Sequence, residues 1–100
     1  MTTKLSKEAN GFMVSIAGRF TSDAAASFLK EIDPVIQESG CDVVMDLADL
    51  EFISSAGLRC FVVLLKACQA NGSTLRIRNL TPQIRDIFTL TALIDKFVVE

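Results

Sequence analysis

The chain has 100 residues, 50% of them hydrophobic, which is enough for one compact domain around one core and leaves no length for a second. Its formal net charge of -2 gives no general attraction for nucleic acid or an anionic membrane. Histidine is absent, which removes the usual general base, the commonest transition-metal ligand and any Ser-His-Asp or Cys-His machinery.

The opening stretch MTTKLSKEANGF is too polar for a secretory signal peptide. Lys4 to Glu8 is weakly strand-like, and Asn10-Gly11 is the dipeptide that best tolerates positive φ in a two-residue hairpin. Phe12, Val14 and Ile16 then alternate with Met13, Ser15 and Ala17 up to Gly18, predicting an N-terminal antiparallel hairpin. From Thr21 the period changes: Ala25, Phe28, Leu29, Ile32, Val35 and Ile36 recur at three and four, with Thr21 or Ser22 as N-cap and Asp23 in the first turn. Pro34 lacks an N–H and disfavours helical geometry at Asp33, so this helix is expected to kink or break. Gly40 would close the segment as a left-handed cap.

Val43, Val44, Met45 and Leu47 form a near-continuous apolar stretch, the pattern of a strand covered on both faces in the middle of a sheet. A short acidic connection with Asp49 and Glu51 leads to Ser54 and Ser55, and a strongly apolar helix runs from about Ser55 to Ala70. One helix face carries Leu58, Phe61, Val62, Leu65 and Cys68, and an adjoining face carries Cys60, Val63, Leu64 and Ala67. Such a helix is either sandwiched between sheet and neighbouring helices, as most apolar helical faces are, or leaves its second face open for a partner. The longest uninterrupted apolar run, Cys60 to Leu65, is far short of the roughly 20 residues of a spanning helix, and a soluble cytoplasmic protein is expected.

Asn71-Gly72 ends the helix, and Leu75 and Ile77 alternate with Arg76 and Arg78 in a half-exposed strand. Thr81-Pro82 supplies an N-cap followed by proline at the first helical position, opening a helix with Ile84, Ile87 and Phe88 inward. Phe97 to Val99 adds a short edge strand. The predicted order is β-β-α-β-α-β-α-β, a single α/β domain over residues 1–100 with a mixed sheet.

Ser54 and Ser55 fall where a strand hands over to a helix, beside the first unpaired N–H groups, which favour an anion such as a phosphorylated serine. Enzyme motifs fail: GxSxG is not met, there is no GxxxxGK[ST] and no GxGxxG, and nothing places Lys30 or Lys66 beside the serines. No catalytic, metal or cofactor-binding residue is assigned. Asp46, Asp49 and Glu51 could hold a hard cation, though acids in such a connection more often cap or are solvated. Arg76 and Arg78 share a sheet face and read as a solvated pair rather than a binding patch. Cys41, Cys60 and Cys68 form no CxxC or metal cluster, and their apolar neighbours indicate reduced, buried or half-buried thiols.

The run Val43 to Leu65, above all Asp46-Leu47 followed by Phe52-Ile53-Ser54-Ser55-Ala56-Gly57-Leu58, resembles the signature of STAS domains, and among them of bacterial anti-sigma factor antagonists. Gly18-Arg19-Phe20 resembles the family's Gly-acid-Leu opening, Gly72-Ser73-Thr74-Leu75 its strand entry after the helix, and Pro82 to Phe88 its proline-started third helix. Two acids common in the family are replaced here by Ser54 and Thr21, and the chain stops at Glu100 where many relatives carry a further helix.

The resemblance implies a phosphoswitch. The phosphorylated serine would be Ser55, within a partner-binding loop comprising Thr21, Ser54, Ala56, Gly57, Leu58 and Arg59. The implied partners are an anti-sigma factor serine kinase and a metal-dependent serine phosphatase, with no nucleic acid and no membrane insertion. The unphosphorylated antagonist would bind the kinase and free the sigma factor. Ser55 could instead be a helix N-cap, and the chain a non-phosphorylated STAS module serving as an assembly subunit of a signalling or lipid-transport complex.

Overall fold

The computed structural model describes residues 1–9, 11–37 and 42–100. The expectations placed on Asn10, Gly40, Cys41 and the Ile36 side chain lie outside the described residues. Among the described residues five strands, β1 (Thr2–Glu8), β2 (Gly11–Phe20), β3 (Asp42–Ile53), β4 (Leu75–Arg78) and β5 (Val98–Val99), form one sheet in sequence order. β1 runs antiparallel to β2, and every later pairing is parallel. The connecting helices are α1 (Ser22–Glu31), α2 (Asp33–Gln37), α3 (Ser55–Ala70) and α4 (Pro82–Leu90), followed by a 3-10 turn at Ile94–Lys96.

A right-handed crossover that always steps to the next strand delivers every helix to the same side of the sheet. Burial follows that asymmetry. Phe12, Val14, Ile16, Val43, Met45, Leu47, Leu75 and Ile77 are buried beneath the helices. Met13, Ser15, Val44, Asp46, Arg76 and Arg78, on the alternate positions, are only half-buried. β3 is therefore central in the sheet, as expected, but covered on one face rather than both. Its hydrophobic run is longer than a one-sided strand needs because Val44 extends the apolar stretch onto the open face.

The acidic connection before the serines is also strand. β3 uses two more residues than β2 over the same length, through register shifts between Ser15 and Ala17 and between Gly18 and Arg19. Bulges of this kind break the alternation and twist the strand, so Leu47, Leu50 and Ile53 all turn inward at three-residue spacing while Asp49 and Glu51 stay exposed. Gly11 also belongs to a strand, paired with Glu8 and Asp42. It takes glycine for close approach, since an added Cβ would collide with the Asp42 carbonyl.

Pro34 acts as the sequence predicts: α1 stops at Glu31, Ile32 forms the turn, and α2 restarts at Asp33. Five phenylalanines tie the layers together. Phe20 meets Phe28 at 5.0 Å and Phe61 at 6.1 Å between ring centroids, and Phe61 meets Phe88 at 5.4 Å, each pair edge-on. Phe97 closes the group against Phe61 and Phe88.

Both apolar faces of α3 are largely consumed by this core. Cys60, Phe61, Leu64, Leu65 and Cys68 are buried, Val62 and Ala67 are half-buried, and Val63 alone of the expected inward residues is exposed, at 37%. α1 lies along the second face, where the Cys60 thiol approaches the Ala25 carbonyl at 3.6 Å. Burial pushes the Cys60 and Cys68 thiols up from their ordinary pKa, with Arg59 partly opposing this at Cys60 and Asp42 adding to it at Cys68. Both are packing groups with little thiolate character.

α3 and α4 end in the same left-handed hydrogen-bond motif. Ser73 N–H donates to the Cys68 carbonyl at 2.7 Å and Gly72 N–H to Gln69 at 3.3 Å; Leu93 N–H donates to Phe88 at 2.9 Å and Ala92 N–H to Thr89 at 3.1 Å. The pivot of the first is Gly72 at φ 71°, that of the second Ala92 at φ 60°. A Cβ in this region is strained, so Ala92→Gly is expected to raise unfolding stability by about 1 kcal/mol and Gly72→Ala to lower it by a similar amount. Urea unfolding of the two variants checks both signs.

Candidate functional site

β2, β3 and β4 are parallel, and the carboxyl end of each passes into a helix through a hydroxyl N-cap. Thr21 Oγ1 accepts from Ala24 N–H at 3.3 Å, Ser54 Oγ from Gly57 N–H at 3.1 Å, and Thr81 Oγ1 from Ile84 N–H at 3.4 Å. Ser54 N–H donates to the Phe20 carbonyl at 2.8 Å, which holds the entries to α1 and α3 side by side. Thr21 and the Ser54 to Arg59 segment, expected to share one loop surface, are thus brought to the same edge of the sheet.

The two adjacent serines have different surroundings. Ser54 is half-buried and extended, at φ -82° and ψ 169°, and its carbonyl accepts from Leu58 N–H at 2.9 Å to start the α3 ladder. Its hydroxyl is committed to the cap. Ser55 is the first residue of α3 and is exposed, and its hydroxyl has no hydrogen-bond partner among the described residues. The N–H groups of Ser55 and Ala56 precede the start of the ladder, so the local field there favours negative charge. The N-cap expected at Ser55 or one residue earlier is Ser54.

Gly57 sets how closely this turn sits on the sheet. A Cβ added there would come within 2.9 Å of Ile53 Cγ1 and 2.9 Å of the Phe20 ring. Ala56 and Leu58 pack half-buried on the core, whereas Arg59 is exposed one turn beyond Ser55 on the same helix face. The exposed surface of the turn is therefore Ser55 and Arg59, with the flank of Leu58.

The acids do not assemble with the serines. Asp46 Oδ1 accepts from Ala48 N–H at 3.0 Å and Asn79 Nδ2 at 3.2 Å, and no group of three metal-ligating side chains occurs among the described residues. Arg76 and Arg78 reach Glu100 at 4.0 and 3.3 Å on the open face of the sheet. Before the serines, at the ends of β2 and β3, the Arg19 guanidinium lies over the Phe52 ring, 4.4 Å from its centroid. Residue spacing alone does not reveal it, because the bulges of β3 are what bring Phe52 opposite Arg19.

A family profile described as STAS domain matches residues 3–100. The chain is 30% identical over 86 residues to the anti-sigma-B factor antagonist of Bacillus subtilis (strain 168), covering 86% of this chain and 78% of that protein. Its fold is similar to that of the anti-sigma factor antagonist SpoIIAA in its unphosphorylated form, with a TM-score of 0.84 and 15% identity over 99% of this chain and 88% of that one. The phosphorylated form of the Bacillus cell fate determinant SpoIIAA matches with a TM-score of 0.78 and 15% identity, covering 99% of this chain and 91% of that one.

The separation of the two serines has a measurable consequence. Ser54→Ala is expected to cost about 1 kcal/mol of unfolding stability through the lost cap. Ser55→Ala is expected to stay within about 0.5 kcal/mol of the wild type, as an exposed side chain with no bonds to lose. Denaturant unfolding of both variants tests the assignment, which a larger loss at Ser55 than at Ser54 would reverse.

Proposed function

The chain belongs to the STAS domain family, and on that premise we propose that it is an anti-sigma factor antagonist switched by reversible phosphorylation of Ser55. The observation that carries this reading is the division between the serines: Ser54 Oγ is bound to Gly57 N–H, while the neighbouring Ser55 hydroxyl is exposed at the start of α3. A kinase can reach Ser55 without breaking the cap that starts the helix.

Phosphorylation adds about -1.5 to -2 charges and three acceptor oxygens. At a helix N-terminus that charge is stabilised by about 0.3 to 1 kcal/mol, and Arg59 one turn along screens it further. The modified protein keeps its fold, and the change is confined to the surface a partner must cover. The unphosphorylated surface of Thr21, Ser54, Ser55, Ala56, Leu58 and Arg59, with Gly57 buried beneath it, binds an anti-sigma factor that is itself a serine kinase, which releases its sigma factor. Phosphorylated Ser55 blocks that docking by charge and bulk. A metal-dependent serine phosphatase restores the binding form. The protein is a substrate and binding partner in this cycle, not a catalyst.

The names of the relatives support the antagonist role, and the similarity of this fold to both forms of SpoIIAA supports a switch that leaves the fold in place. No helix of the described residues is long and apolar enough to cross a membrane, and the proposed partners put the chain in the cytoplasm.

Phosphopeptide mass spectrometry on protein isolated from its own cells, growing and stressed, checks the site over Asp49 to Arg59. A single phosphoryl group on Ser55, absent from Ser54 and changing in occupancy with condition, is expected. Unmodified peptide in every condition, from well-covered spectra, would contradict the proposal and leave a constitutive binding module.

A further inference from the structure

We propose that Arg19, held over the Phe52 ring, is a specificity-determining contact that takes a carboxylate of the docking protein beside Ser55; this rests on the partner-binding reading of that surface given above. Three observations support it. The guanidinium carbon of Arg19 sits 4.4 Å from the centroid of a half-buried aromatic ring, so the exposed side chain has an attractive support on the protein's own surface. A guanidinium lying on a ring keeps its N–H edges pointing outward, the geometry that grips a carboxylate with two parallel hydrogen bonds. No carboxylate among the described residues forms an ion pair with Arg19, although Asp23, close in sequence on α1, and Glu51, the neighbour of Phe52 on β3, are both exposed. The fork is left for a group from outside.

Position ties this pair to the switch. Arg19 pairs with Phe52 and Phe20 with Ile53 across β2 and β3, and the next residue, Ser54, donates its N–H to the Phe20 carbonyl. Phe20 and Ile53 face the core, so Arg19 and Phe52 emerge on the opposite side of the same strand ends. They form a rim immediately before the turn that presents Ser55. A protein covering Ser55 from beyond the strand ends has this rim at its edge. The two register shifts of β3 make the pairing possible, since an unbulged ladder would set a different β3 residue beside Arg19.

An arginine already resting on a ring loses less freedom on forming a bidentate pair than one free in solvent, and a rim charge of this kind acts on both partner choice and association rate. The partner chemistry is therefore an acidic side chain adjacent to its serine-binding cleft. A kinase carrying a basic or apolar residue there would be rejected.

The test measures binding of the purified serine kinase that modifies Ser55 to wild type, Arg19→Ala, Arg19→Lys, Arg19→Glu and, as a charge control on α4, Arg85→Ala. Circular dichroism and urea unfolding establish that each variant is folded. Arg19→Ala is expected to weaken binding at least tenfold and to flatten the salt dependence of the association rate. Arg19→Lys is expected to recover only part of the affinity, Arg19→Glu to be weakest, and Arg85→Ala to match wild type. Unchanged affinity in Arg19→Ala and Arg19→Glu, with binding still lost on phosphorylation of Ser55, would overturn the role of Arg19 and leave the switch standing. An Arg19 effect seen only in the phosphorylated protein would make it a ligand of the phosphate and overturn the proposal. If no kinase modifies Ser55, both readings fall together.

Discussion

The serine turn at the start of α3 depends on a missing side chain. Without a Cβ, Gly57 lets the first turn of α3 settle directly on Phe20 and Ile53, at a separation no larger residue could share. Phe20 then stacks edge-on against Phe28 of α1 and Phe61 of α3, so the same ring that receives the glycine also anchors both helices. Raising the turn by even a methyl group would disturb the Ser54 cap, the Phe20 carbonyl bond and the packing of Phe61 together. The exposed position of Ser55 is therefore a consequence of core packing one turn away.

Two adjacent serines at a strand-to-helix junction carry different physical tasks. A helix start needs an acceptor for its unpaired N–H groups, and Ser54 supplies it from a half-buried position. A regulated site needs a hydroxyl whose loss to modification costs the fold nothing, and Ser55 is free of such bonds among the described residues. Placing both at the positive end of α3 means that a phosphate is electrostatically welcome to this domain and unwelcome to an opposing acidic surface. Arg19 on its aromatic support sits at the strand ends beside the same turn, where the proposed role of its charge is in partner choice rather than in folding.

Much of this is readable from residue order. The alternation of Phe12, Val14 and Ile16, the change of period after Thr21, the break at Pro34 and the Thr81-Pro82 start all correspond to observed elements, because each is a local preference that packing reinforces. The resemblance of the Asp46 to Leu58 run to STAS domains led to the fold and the family. What is not local was not legible. The bulges of β3 depend on its pairing with β2, so Asp49 and Glu51 read as a connection although they lie in a strand, and the Arg19–Phe52 contact is invisible. The apolar run Val43 to Leu47 looked covered on both sides because the one-sided placement of the helices follows from strand order, which a single strand does not encode. Ser54 and Ser55 differ by one helical position, finer than a propensity can separate, and only the cap geometry tells them apart. Ala92 occupies a left-handed position for which glycine or asparagine is the usual signal.

The central claim is that the switch changes a surface and leaves the fold untouched. The most direct test compares amide NMR spectra of the unmodified protein and protein carrying phosphoserine at position 55. Shift changes confined to Phe52 through Arg59 and the neighbouring turn at Arg19 to Asp23, with the amides of Phe61, Phe88 and Ile77 unmoved, are the predicted result. Shifts spreading through the core of the sheet and α4, or a loss of dispersion on phosphorylation, would mean that the modification acts by repacking the domain and would contradict the account.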